Sequence, residues 1–96
     1  LMGSGEGREA IRTFEETIRS YPDSTAAYQN LAIAHAQQDA LEAAFEVLKS
    51  AGARFGGDTV LKWLQGPELA EVRASDGFLQ LERELRAAPT AASLPL

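Results

Sequence analysis

The single histidine of the chain, His35, is the first residue to consider, because an imidazole can act as a general base or a metal ligand. It ends the stretch Tyr-Gln-Asn-Leu-Ala-Ile-Ala-His, and the chain has no cysteine. A metal site on a helix would need a second ligand about one turn away, where the sequence has Leu31 and Asp39. Asp39 is of a type that caps the following helix. We therefore interpret His35 as a half-buried packing residue, and predict neither a catalytic residue nor a metal site.

Paired carboxylates are the next candidates for chemistry, since they can act as general acid and base when one of them lies in an apolar pocket. The pairs in this chain are Glu15–Glu16, Glu68 with Glu71, and Glu82 with Glu84. All of them fall on predicted solvent faces, beside basic residues such as Arg19, which can pair with Glu15 one turn away. Gly56-Gly57 is not followed by Lys-Ser or Lys-Thr, so it is not a phosphate loop. The sequence predicts no enzyme activity and no cofactor.

Length and charge restrict the class of protein and of partner. The 96 residues suffice for one small domain, and 14 acidic against 9 basic residues give a net charge of −5. A protein that neutralises phosphates would have the opposite charge, so we expect no nucleic acid and no membrane surface as partner. A basic or amphipathic peptide is better matched. The absence of cysteine, of a signal peptide and of a long apolar run leads us to expect a cytoplasmic protein.

The apolar pattern predicts helices throughout. Over residues 7–21 the apolar positions recur every three or four residues, at Ile11, Phe14, Ile18 and Tyr21. Pro22 ends this helix. Residues 25–38, after the N-cap types Asp23 and Ser24, form an alanine-rich second helix. A third helix is expected to begin at Asp39, with Glu42 as its capping-box partner, and to end at Gly52.

The second half of the chain has shorter predicted elements. We expect a short helix over residues 59–65, a brief one over 67–72, and a last helix that Ser75 or Asp76 caps and Pro89 ends. Residues 1–6 should be flexible and residues 89–96 disordered. Because strand signals are absent, the predicted fold is all-α, with four main helices, one short helix and antiparallel packing of consecutive helices.

An internal repeat of 34 residues identifies the architecture. Ala10 and Ala44 are separated by 34 residues, as are Phe14 and Leu48, so the same inward helix face is used twice. The sequence resembles the tetratricopeptide repeat family, whose signature spans 34 residues. The residues that carry the resemblance are Tyr28, Leu31, Ala32 and His35 in the first half of one repeat, Ala44, Leu48 and Ala51 in its second half, and Ala10, Phe14 and Pro22 in the preceding half repeat.

The resemblance implies a domain organisation and a fold. Residues 7–22 would be a half repeat, residues 23–55 a full repeat, and residues 56–88 a divergent repeat that caps the end of an array. The implied fold is an α-α superhelix of helix pairs. Trp63 would pack against the third helix and the cap, with an exposed anchor for a partner as the alternative.

The resemblance also implies a function. Members of this family hold peptides or protein segments on the concave side, which the first helix of each pair lines. The residues expected there are Ala26, Gln29, Asn30, Ile33, Ala36, Gln37 and Lys62. Asn30 matches an asparagine that the family often uses to bind the peptide backbone. The function expected is therefore that of a protein–protein interaction scaffold. Two alternatives stay open: a homo-oligomer formed through Ile11 and Ile18, or the capping end of a larger multidomain protein.

Overall fold

The chain is all-α in a computed structural model that describes residues 5–87, and no strand occurs within that range. The helices, in chain order, are α1 (Gly5–Ser20), α2 (Thr25–Gln37), α3 (Leu41–Phe55), α4 (Gly57–Leu64), a 3-10 helix (Pro67–Leu69), α5 (Ala70–Arg73) and α6 (Phe78–Ala87). This confirms the predicted fold class. α1 begins at Gly5, two residues earlier than predicted. Of the residues 1–6 expected to be flexible, Gly5 and Glu6 belong to α1. Residues 1–4 and the expected disordered tail, residues 89–96, lie outside the described range.

The start of α2 follows directly from the local sequence. Pro22 cannot continue α1, and Ser24 then takes an extended conformation, with φ −81° and ψ 100°. The Ser24 hydroxyl accepts a hydrogen bond from the Ala27 backbone N–H at 3.2 Å. This bond satisfies one of the free N–H groups at the helix N-terminus. The predicted cap is therefore found at Ser24.

The connection between α2 and α3 differs from the prediction. Asp39 does not cap α3; it has φ 61°, and Ala40 occupies the N-cap position without a side-chain hydrogen bond. The Ala40 N–H bonds back to the His35 carbonyl at 2.9 Å, so this turn closes α2. Three residues separate the two helices, and the chain reverses over so short a distance by placing one residue in the left-handed region. Aspartate tolerates that region better than most residues with a Cβ atom.

The end of α3 also lies further along the chain than predicted. Gly52 is inside the helix, and Gly56, with φ 101°, is the capping residue. A Cβ atom at Gly52 would lie 2.7 Å from Cδ2 of Leu85. Gly52 therefore provides space for a contact with α6, whereas Gly56 provides the left-handed conformation that ends the helix.

The core is continuous from α2 to α6, and its most buried positions are small or branched aliphatic residues. Its buried members are Tyr28, Ala32, Ala36, Ala44, Leu48, Ala51, Val60, Leu64, Leu69, Val72, Leu81 and Leu85. Trp63 is partly buried and packs against this cluster. Helix α1 packs mainly on α2, and its apolar stripe is only half-buried. The described part of the molecule is flat and elongated, with extents of 49 × 32 × 18 Å.

Candidate partner-binding surface

One face of α2 is open to solvent, and five of the residues predicted to bind a partner lie on it. Ala26, Asn30 and Gln37 are exposed, and Gln29 and Ile33 are half-buried. These positions are three or four residues apart, or adjacent to such a position, so they form one side of the helix. The structure thus brings these five together. We name this surface the α2 face.

The other two predicted residues are placed differently. Ala36 retains only 2% of its exposure and belongs to the core cluster, one turn after Ala32. It therefore cannot contact a partner on this surface, and the prediction that Ala36 is a partner-binding residue was wrong. Lys62 is exposed, but it lies on α4, which packs mainly against α3 and α6. The 3-10 helix Pro67–Leu69 packs on α2 more extensively than α4 does.

The α2 face has groups suited to binding an extended chain. The side-chain amides of Gln29, Asn30 and Gln37 each offer two donors and an acceptor, which match the polar groups of a peptide backbone. Ile33 lies between them and packs against the core from the outside, so its exposed part can cover an apolar side chain. The arrangement supports recognition by hydrogen bonding and apolar contact.

The opposite side of α2 has a different character. Tyr28 and Leu31 are buried there, and the Tyr28 ring meets the Phe55 ring edge to face at a centroid distance of 5.2 Å. His35 is half-buried, as predicted from its spacing. Within residues 5–87 no group of three or more His, Cys, Asp or Glu residues is placed to hold a metal ion.

A groove between α1 and α3 was missed by reasoning from sequence alone. It contains a cavity of about 260 Å³, lined by Glu15, Ile18, Tyr28, Leu31, Glu46, Val47 and Ser50. The residues that line it come from three helices. The only signal for the groove in the sequence is the part of the apolar α1 stripe that no other helix was predicted to cover. Both Ile18 and Ile11, the pair considered for self-association, are half-buried rather than open.

Few of the charges around these surfaces form ion pairs within residues 5–87. The ion pairs among residues 5–87 are Lys49–Glu84, Arg54–Asp23 and Arg86–Glu82. The expected pair of Glu15 with Arg19 is not one of them. Each pair that does form is at least partly exposed to solvent, so it contributes little to stability.

Residues 1–66 match the family model of the tetratricopeptide repeat. The chain belongs to the tetratricopeptide repeat family. Neither the curated proteins nor the solved structures gave a match. The family generally mediates protein–protein interaction. The match covers α1 to α4 and ends at Gly66, one residue before the 3-10 helix. The 3-10 helix, α5 and α6 lie beyond the matched residues.

The helix lengths show how the repeat changes along the chain. α2 and α3 have 13 and 15 residues, whereas α4 has 8. After α4, a 3-10 helix and one turn of α-helix stand where a second long helix would begin. No helix within residues 5–87 is both long enough and apolar enough to cross a lipid bilayer.

Proposed function

We propose that this tetratricopeptide repeat protein is an interaction scaffold that binds a peptide or a protein segment on the α2 face. The observation that supports the proposal is the joint exposure of Ala26, Gln29, Asn30, Ile33 and Gln37 on one side of α2. The first helix of a repeat is the one that lines the concave side in this family. The proposed function of the protein is to bind a partner, without catalysing a reaction.

The α2 face indicates how the segment is held. Asn30 and Gln37 bond the peptide backbone through their amides, and Ile33 contacts an apolar side chain. The net charge of −5 favours a basic or amphipathic segment over an acidic one. Lys62 is the one predicted member of the site that could meet an acidic group.

Substitution of Ile33 tests the proposal directly. Ile33→Asp places a charge at the centre of the α2 face and should abolish capture of the partner from a native extract. The matched control is Leu79→Asp, because Leu79 lies on α6 and is 70% exposed. Circular dichroism of both variants should show the helicity of the unaltered protein.

The result is read from the proteins that each immobilised variant retains, identified by mass spectrometry. A partner that the unaltered protein and Leu79→Asp hold, and that Ile33→Asp loses, supports the α2 face. Equal retention by all three proteins would show that binding takes place elsewhere.

The amides provide a second test of the same proposal. Asn30→Ala should weaken binding of the captured partner by about 1–2 kcal/mol, since one hydrogen bond to the backbone is lost. Isothermal titration with the purified partner measures this, and an unchanged affinity would remove Asn30 from the site.

A further inference from the structure

The groove between α1 and α3 is a concave surface of this protein that lies outside the α2 face. Helices α1 and α3 both pack on α2, and the space between them contains a cavity of about 260 Å³. Ile18 and Val47 form its sides, and the buried residues Tyr28 and Leu31 form its floor. We name this surface the α1–α3 groove.

The groove and the α2 face lie on opposite sides of the same helix. Leu31 lines the groove and Ile33 lies on the α2 face. Two residues along a helix correspond to a rotation of about 200°. A ligand in the groove would therefore leave the α2 face free, and each surface can be altered without touching the other.

The groove has an acidic rim. Glu15 on α1 and Glu46 on α3 both line the cavity and are exposed. Neither takes part in the ion pairs found within the described residues. Arg54 lines an adjoining cavity, and its guanidinium lies 3.6 Å from the Asp23 carboxylate. Each side of the groove, α1 and α3, thus contributes one carboxylate without an ion-pair partner among the described residues beside the apolar floor.

The size of the cavity favours a side chain over a free small molecule. Sites for small molecules are usually more enclosed, with volumes of roughly 300–1,000 Å³. A cavity of about 260 Å³, open to solvent and with an apolar floor, has room for one large aliphatic or aromatic side chain that a partner presents. The two carboxylates would then face the residues that flank this side chain.

We propose that the α1–α3 groove receives one large apolar side chain from a helical partner segment that has a lysine or arginine one turn before and one turn after it. This partner site is independent of the α2 face. The acidic rim selects the basic segment and discriminates against an acidic one, because like charges would meet at both walls.

A synthetic peptide serves as the probe. It is a short alanine-rich helix, fluorescently labelled, with a central leucine and a lysine one turn to either side. One control peptide has serine in place of the leucine, and another has glutamate in place of both lysines. Binding is measured by fluorescence anisotropy at low and at physiological salt. We expect binding of the leucine–lysine peptide alone, and weaker binding at the higher salt.

Charge reversal on the rim locates the site. Glu15→Lys with Glu46→Lys should weaken binding of the probe by about tenfold, since two attractive pairs become repulsive. The control combines Glu16→Lys with Glu71→Lys, which alters the net charge equally at two exposed positions outside the groove. The control should stay within about twofold of the unaltered protein.

A filled groove gives a test that does not alter charge. Ser50 lines the cavity and is exposed, so Ser50→Trp should occupy the space without disturbing the core. It should abolish binding of the probe, with helicity retained. Ile33→Asp should leave the affinity for the probe unchanged, which separates this proposal from the one for the α2 face.

Four results would overturn the proposal. One is an equal loss of probe binding in the rim and the control variants, which would show a general attraction of the acidic protein for a cationic peptide. Another is a loss of probe binding in Ile33→Asp but not in Ser50→Trp, which would place the binding site on the α2 face. A third is no binding of the probe. The last is a dimer in sedimentation that Ser50→Trp dissociates, which would make a second copy of the chain the occupant.

Discussion

The helix pair α2–α3 and the C-terminal segment α4 to α6, which we predict to be a capping repeat and call the cap, achieve close helix contact in two different ways. In the pair, alanines allow the close packing, since Ala32, Ala44 and Ala51 are completely buried. In the cap, glycine does this, and a Cβ atom at Gly57 would lie 1.7 Å from the Leu85 carbonyl oxygen. Alanine lets side chains interlock between helices, whereas Gly57 lets one backbone touch another.

The ends of the helices differ between the two regions as well. Ser24 caps α2 from the residue next to it. The C-terminus of α4 is capped from a distance, by Arg73, whose guanidinium donates to the Gly66 carbonyl at 2.7 Å and to that of Leu64. A positive charge at this end also complements the helix dipole. The N-terminus of α2 is thus capped by a neighbouring residue, whereas the C-terminus of α4 is capped by a residue of a later segment.

Removing a core side chain from the pair should have the largest effect on stability. Leu48 is completely buried and touches the cluster that extends through α2, α4 and α6. Leu48→Ala should lower the free energy of unfolding by about 2–5 kcal/mol, through lost burial and the cavity left behind. Urea denaturation followed by circular dichroism measures the change. Leu79→Ala, at an exposed position, should have almost no effect, and comparable losses at both positions would contradict the core described here.

The glycine contact should make the cap sensitive to a single methyl group. Gly57→Ala forces the backbones of α4 and α6 apart, and should lower the free energy of unfolding by about 1–3 kcal/mol. Hydrogen exchange should become faster in α4 and α6 and change little in α2 and α3. Gly66→Ala is the matched control, because the nearest atom to its added Cβ would be the flexible end of the Glu68 side chain, at 2.9 Å. Uniform acceleration along the chain would show that pair and cap do not differ in this way.

Removal of Arg73, which caps the C-terminus of α4, should have a smaller effect on stability. Arg73→Met removes the guanidinium from the carbonyls of Leu64 and Gly66, and should lower the free energy of unfolding by about 1–2 kcal/mol. Thermal unfolding of this variant is compared with that of Arg83→Met, an exposed arginine on α6 with no hydrogen bond among those described. If the two variants unfold at the same temperature, Arg73 does not stabilise the cap through these carbonyls.

Part of the candidate site could be predicted from the sequence. Five of the seven residues assigned to a partner surface lie on the open side of α2, since helical periodicity alone separates that side from Tyr28 and Leu31. Ala36 could not be placed, because it lies at the boundary between the two sides and its burial depends on the packing of other elements against α2. The α1–α3 groove was also inaccessible to sequence reasoning, as it depends on how far apart two helices lie on a third.

The amino-acid sequence by itself determined the all-α fold, the repeat and its family, because helical periodicity, alanine content and proline positions act over short stretches of chain. Tertiary structure alone decided which residues cap the helices and which residues end them. Asp39 takes the left-handed conformation instead of capping α3. Gly52 lies inside α3 and faces Leu85 instead of ending that helix. Such roles depend on distances between helices that are far apart in sequence, and no local preference specifies those distances.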